Sequence, residues 1–243
     1  MNLKSKRILV FGGEASFIES ILPILKSQGA QLYWCINSDK IDTNWQYQGL
    51  QYIPLESIEH PESYQKELLP QLKLVEHFDG LVFALSEGTL RPMNMTKPSI
   101  VNRLMTINSN AFIEIVRILV KGKLISAGAS IVAISSISSL KGLKSKMAYA
   151  ASKAALNSVV LNMASELANK KIRVNAVLKG ALSSDFEHFH VKNMAAIGTD
   201  DSTNTELGLT EPYELAELCS FLLSDSVKTM TGSLIKLDGG YSL

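Results

Sequence analysis

The chain has 243 residues, 46% of them hydrophobic and 19% charged, and a formal net charge of +1. That is enough apolar material for one large core, and no charge block marks a nucleic acid or an anionic membrane as partner. Cys35 and Cys219 lie in apolar runs without CxxC or Cys/His spacing. A disulfide framework or zinc site is therefore not expected, and a reducing, cytoplasmic setting fits. The basic start, residues 1–7, leads into an apolar run that stops at Gly12-Gly13. It is too short for a signal peptide, and no stretch is long enough to span a bilayer.

Apolar runs of strand length fall at 8–11, 32–36, 51–55, 80–85, 130–135, 173–178 and 233–237. Helical spacing falls between them, at 17–27, 61–74, 100–120, 148–169 and 211–223. Strand–helix alternation of this kind predicts a parallel sheet with helices on both faces. Pro23 is expected to kink the first helix. No repeat or linker interrupts the chain. The least regular stretch, 185–209, follows the sixth strand and is read either as a lid over the ligand crevice or as an irregular surface loop.

Tyr149 and Lys153 are four residues apart on a predicted helix, one turn apart on one face. An ammonium near a phenol favours the phenolate, lowering a pKa that starts near about 10. Such a tyrosine can exchange a proton with a carbonyl or alcohol oxygen near neutral pH. Ser136 follows the fifth strand on the carboxyl edge, where its hydroxyl can bond the same oxygen. The Tyr-x-x-x-Lys spacing alone also describes an ordinary exposed pair.

The run Ile131-Val-Ala-Ile-Ser-Ser-Ile-Ser-Ser, then Tyr149-Ala-Ala-Ser-Lys153-Ala-Ala-Leu, resembles the short-chain dehydrogenase/reductase family. The likeness continues through Ile172-Arg-Val-Asn-Ala-Val, the segment from Glu211-Pro-Tyr-Glu, and Leu237-Asp-Gly-Gly-Tyr, with Asn108 at the family's tetrad asparagine. It is nearest to 3-oxoacyl-[acyl-carrier-protein] reductases; the four-residue Tyr–Lys spacing argues against the enoyl reductase branch. The resemblance implies one Rossmann-type, doubly wound α/β domain over 1–243 with a mainly parallel seven-stranded sheet. It also implies a carbonyl reductase working on a small-molecule or acyl-thioester substrate, assembled as a homotetramer or homodimer. The implied roles are acid/base for Tyr149, phenol activation and ribose binding for Lys153, carbonyl polarisation for Ser136, and a proton-relay water held by Asn108.

Against the family pattern, the cofactor half has lost several residues. The glycine turn reads Phe11-Gly12-Gly13-Glu14-Ala15-Ser16-Phe17-Ile18, so Gly12 alone keeps its place. Ser16 is left to cap the helix, Glu14 opposes a pyrophosphate, and Ile18 replaces a glycine of close approach. The second strand ends Asn37-Ser38 instead of in an acid, which disfavours NAD; Lys40 is the nearest cation for a 2′-phosphate. The remaining implied cofactor contacts are Phe17, Ala84, Gly180, Leu182 and Ser184, with Lys179-Gly180 in place of the usual Pro-Gly. NADP(H) is thus expected over NAD(H), and a non-catalytic relative that binds no cofactor, kept as partner subunit or scaffold, is the alternative.

Other groups are discounted. Asp185, Glu187, His188 and His190 read as solvated side chains and not metal ligands. His60 and His77 have no evident partner. Met93, Met95, Met105 and Met163 read as core or interface filler, and Trp34 and Trp45 as core packing. No basic patch marks a docking site for a carrier protein. Wide apolar faces on the two long helices suggest subunit packing.

Overall fold

The computed structural model describes residues 1–12, 17–38, 49–183 and 205–243. One seven-stranded sheet runs in the order β3-β2-β1-β4-β5-β6-β7, and every strand pair is parallel. The strands are β1 (Arg7–Phe11), β2 (Gln31–Asn37), β3 (Gln51–Leu55), β4 (Phe78–Phe83), β5 (Ile125–Ser136), β6 (Arg173–Lys179) and β7 (Leu234–Leu237). The helices are α1 (Ile18–Ser27), α2 (Tyr64–Leu72), α3 (Pro98–Met105), α4 (Ala111–Lys121), α5 (Met147–Leu167) and α6 (Pro212–Leu223).

The central strands read as unbroken apolar runs because both faces are covered. Leu9, Phe11, Ile131, Ala133 and Val174 point to the side closed by α2, α4 and α5. Their neighbours Ile8, Val10, Val132, Ile134 and Val177 point to the other, closed by α1 and α6. The order reverses at β1/β4, so the crevice beyond the carboxyl ends of these strands is the topological switch point where such sheets bind ligands. A capping box, in which Glu211 and Glu214 bond each other's backbone N–H groups, fixes the start of α6.

Several details add to or differ from the sequence-based expectation. The long helix expected over 100–120 is two helices joined by a π-turn, Thr106–Asn110. β5 begins at Ile125, well before the apolar run. Pro23 lies inside α1, which runs through it with Ile21, Leu22 and Leu25 buried; core burial holds the helix although proline offers no N–H. His77 does have partners, lying 3.0 Å from Arg7 Nη2 and 3.7 Å from Asp79 Oδ1, and His60 lies 3.1 Å from Glu62. Met93 and Met95 are exposed, so core filling does not account for them.

Candidate active site

β5 delivers Ser136 to the carboxyl edge, and the chain turns there through a short 3-10 segment, Ile137–Ser139. Ser136 is buried; its hydroxyl donates to Ser138 Oγ at 3.2 Å and accepts from the Ser138 N–H at 3.2 Å. A buried polar chain sets this turn. Ser135 Oγ donates to Asn157 Oδ1 at 2.7 Å, Asn157 Nδ2 donates to Ser139 Oγ at 2.7 Å, and Ser139 Oγ donates to the Ser136 carbonyl at 2.6 Å. Asn157 lies on α5, the helix that carries Tyr149 and Lys153, so this chain ties β5 and α5 into one unit.

Lys153 is 1% exposed. Its Nζ donates to the Ile134 carbonyl at 3.0 Å and lies 5.8 Å from the centre of the Tyr149 ring. Burial, and secondarily the charge of Lys179, pull the Lys153 ammonium down to about 7. Lys179 is the strand partner of Ser136 across β5 and β6. It is itself buried, with Nζ 5.8 Å from the centre of the Phe17 ring at the start of α1. Two ammonium groups therefore share the edge between Tyr149 and the head of α1.

Asn108 sits in the π-turn and is fully buried. One extra residue per turn is a common way to aim a side chain out of the helical pattern at a functional site. The Asn108 carboxamide clamps Glu87, accepting from its N–H at 2.8 Å and donating to its carbonyl at 2.8 Å. It also donates to Ser152 Oγ at 2.9 Å, and Ser152 donates to the Tyr149 carbonyl at 2.8 Å. The loop after β4 is thereby tied to the backbone of the tyrosine. Arg103 holds the Glu87 carboxylate from outside at 2.8 and 3.0 Å.

The cofactor side is built differently. Gly12 ends β1 with φ +80°, and a Cβ there would lie 2.7 Å from Leu85 Cα. Its N–H donates to the Cys35 carbonyl, and its carbonyl accepts from Trp34 Nε1 at 2.9 Å. Trp34 thus shapes the glycine turn as well as filling the core. Ala84 continues the β1–β4 ladder, donating to the Phe11 carbonyl. Phe17 and Ile18 are buried in the apolar layer under α1. Asn37 Oδ1 accepts from the Ile58 N–H at 2.6 Å, while Ser38 is exposed. Gly180 approaches Asp238 so closely that a Cβ would lie 2.8 Å from its Cα. Leu182 is buried in a parallel bridge with Thr210.

Gly13, Glu14, Ser16, Lys40, Trp45, Ser184 and the group Asp185, Glu187, His188 and His190 lie outside the described residues, as does 185–204 of the expected lid. Of its remainder, Leu207 donates to the Gly239 carbonyl at 3.0 Å, tying that end to the C-terminal turn. Cys35 and Cys219 are free and buried, and burial raises both thiols, Cys219 to about 12. Ser152, Asn157, Ser139, Glu87 and Lys179 were not among the residues expected from sequence. Lys179 alone had a signal there, as a cation replacing the family's proline.

A sheet of this order, with a serine at the end of β5 and a Tyr–Lys pair on the following helix, defines a Rossmann-type oxidoreductase. A family model described as enoyl-(acyl carrier protein) reductase matches residues 61–242. The chain is 30% identical to cyclohexanol dehydrogenase of Acinetobacter sp. (strain SE19) over 69% of this chain and 66% of that protein, just under two thirds of its length. It is 25% identical to the enoyl-[acyl-carrier-protein] reductase [NADH] FabI of Buchnera aphidicola subsp. Baizongia pistaciae, over 99% of this chain and 96% of that one. A short chain dehydrogenase family protein from Francisella tularensis has a similar fold, with a TM-score of 0.82, 24% identity and 98% and 99% of the two chains covered. The chain belongs to the short-chain dehydrogenase/reductase family.

Proposed function

We propose that the protein reduces a carbonyl to an alcohol with a nicotinamide cofactor, NADP(H) in preference to NAD(H). The observation that carries this reading is the seating of Lys153. An ammonium has three N–H donors, and Ile134 O is its one hydrogen-bond acceptor among the described residues. Ribose hydroxyls would supply the acceptors the other donors lack. Lys179 and the start of α1 supply positive charge that would favour a pyrophosphate.

The bound nicotinamide supplies the hydride. Tyr149 gives the proton to the carbonyl oxygen, and Lys153 in its charged form favours the resulting phenolate. Ser136 turns its hydroxyl from Ser138 to that oxygen. Asn108 is a positioning residue. Its carboxamide is committed to Glu87 and Ser152, so a relay water beside Lys153 would take its bonds from other groups.

Two features support NADP(H). The described end of β2 carries no carboxylate, and Asn37 Oδ1 is already engaged by Ile58. The name of the Buchnera relative specifies NADH. The four-residue Tyr–Lys spacing favours carbonyl over enoyl reduction, and the resemblance to 3-oxoacyl carrier-protein reductases suggests a 3-oxoacyl thioester as substrate. Ile113 on α4, with Met147 and Leu161 on α5, exposes apolar surface suited to a homotetramer or homodimer. Among the described residues no helix is long and apolar enough to cross a membrane, and no cluster of three His, Cys, Asp or Glu side chains is placed to hold a metal ion.

A second reading has its own observation. Ile18, 1% exposed, fills the place of a glycine that allows close approach, which suits a non-catalytic relative acting as partner subunit or scaffold. Assay of NADPH- and NADH-dependent reduction of 3-oxoacyl thioesters and small ketones separates the two. The enzyme reading expects NADPH turnover that Tyr149→Phe abolishes; equal turnover by that variant, or none by wild type with any of these substrates, rejects it.

A further inference from the structure

At the opposite end of β6 from Lys179, about 20 Å away along the strand, lies a second concentration of positive charge. An open cleft of about 590 Å³ runs along the amino-terminal edge of the sheet. A bulge opens it: Phe78 pairs with Ile125 and Gly80 with Ser130, so two steps along β4 face five along β5. Residues 126–129 bow outward, with Gly128 at φ +87°.

Arg173, the first residue of β6, lines the cleft and is 5% exposed. Its Nη2 donates to the Ser224 carbonyl at 2.9 Å. Its Nη1 is buried and finds no hydrogen-bond partner among the described residues. A buried guanidinium nitrogen without an acceptor is a costly arrangement unless a ligand completes it. Lys4, Lys171 and Lys228, all exposed, line the same cleft. Lys6 is paired with Asp225 at 2.7 Å, and Asp79 accepts from the Arg7 N–H and from Ser126 Oγ, each at 2.9 Å. Five cations against two carboxylates leave this cleft more positive than the whole chain, whose net charge is +1.

We infer that this cleft binds a small, multiply charged oxyanion, a phosphate group either free or carried on a small metabolite, at a site separate from the reactive edge. The planar guanidinium offers a directed donor at Nη1, and the lysines act as point charges around a group with several acceptor oxygens. The cations come from three stretches of the sequence, at 4–6, 171–173 and 228, and only the fold gathers them.

The test uses the full chain, with inorganic phosphate, glycerol phosphate and chloride compared at equal ionic strength by calorimetry and melting. Phosphate is expected to bind one per chain and, at ten times its Kd, to raise Tm by about 3–6 °C; chloride is not. The double variant Lys171→Gln/Lys228→Gln, changed only at exposed positions, is expected to weaken binding at least tenfold. Tighter binding of glycerol phosphate assigns the site to a phosphorylated metabolite, and tighter binding of inorganic phosphate assigns it to the free ion. A phosphate effect no larger than that of chloride overturns the inference. So does phosphate binding that survives the double variant but is lost in Lys179→Gln, which would place the anion at the reactive edge.

Discussion

The two halves of the crevice spend their polar groups differently. On the side of β5 and α5, buried hydroxyls and carboxamides support one another: Ser135, Asn157 and Ser139 set the turn at Ser136, while Asn108 and Ser152 link the β4 loop to Tyr149. On the side of β1, α1 and β2 the polar groups serve the local backbone. Trp34 bonds the Gly12 carbonyl and Asn37 the Ile58 N–H, and Phe17 and Ile18 are absorbed by the core. The printed hydrogen bonds of the two sides share no side chain, so in the proposed reading a braced proton-transfer side can stand beside an altered nucleotide side.

Variants can break this contrast. The largest effect is expected at the phenol: Tyr149→Phe should lower turnover by about 10³-fold and change cofactor affinity less than twofold, as read by steady-state kinetics beside calorimetry. Comparable losses in both would mean that the halves are not separable. Lys153→Met should lose turnover and weaken cofactor binding together, because in the proposed reading this ammonium both favours the phenolate and holds the ribose.

Lys153 also gives the contrast a pH signature. Its folded-state value is lowered from the ordinary lysine range to about 7. Between about pH 7 and 10.5 the unfolded chain therefore binds the extra proton, and the group's contribution to stability rises with pH, by at most about 1.4 kcal/mol per unit. Urea unfolding of the ligand-free protein at pH 6.5 and 9, against Lys153→Met, reads this directly; identical pH dependence in the two proteins would contradict it. An anionic cofactor beside Lys153 should raise that pKa again, so its affinity should be full below about pH 7 and fall as pH rises.

Smaller effects follow from single bonds. Asn108→Ala removes the clamp on Glu87 and leaves its N–H and carbonyl without that partner, which should cost about 2–3 kcal/mol, or roughly 5–10 °C in Tm. Trp34→Phe should cost about 1 kcal/mol and weaken cofactor binding without altering the pH profile of turnover. If it instead slowed chemistry at saturating cofactor, Trp34 would belong to the proton-transfer half.

The sheet was legible because its inner strands, buried on both faces, are apolar throughout, and each expected run has its strand. The first part of β5 was not, since Ser126, Ala127 and Gly128 carry no strand pattern and are held by pairing alone. The apolar spacing across 98–121 continues through the π-turn, so one extra residue left no trace there; Asn108 stood out only through family resemblance. Ser136, Tyr149 and Lys153 could be named from motif and spacing. Their supports could not, because Ser152, Asn157 and Ser139 are ordinary residues until β5 and α5 meet. Asn37 ends β2 where the family's NAD-binding acid would stand, but the loop after β3 takes its oxygen. Lys179 was noticed as a departure, yet its proximity to Lys153 depends on the register Ser136↔Lys179.

The most direct test is a calorimetric titration of the wild-type protein with NADPH and NADH at pH 6.5 and 8.5. The account predicts saturable binding of NADPH, weaker binding of NADH, and looser binding of both at the higher pH. No heat of binding from either cofactor at millimolar concentration would contradict it and leave the braced Ser136–Tyr149–Lys153 centre without a hydride to use.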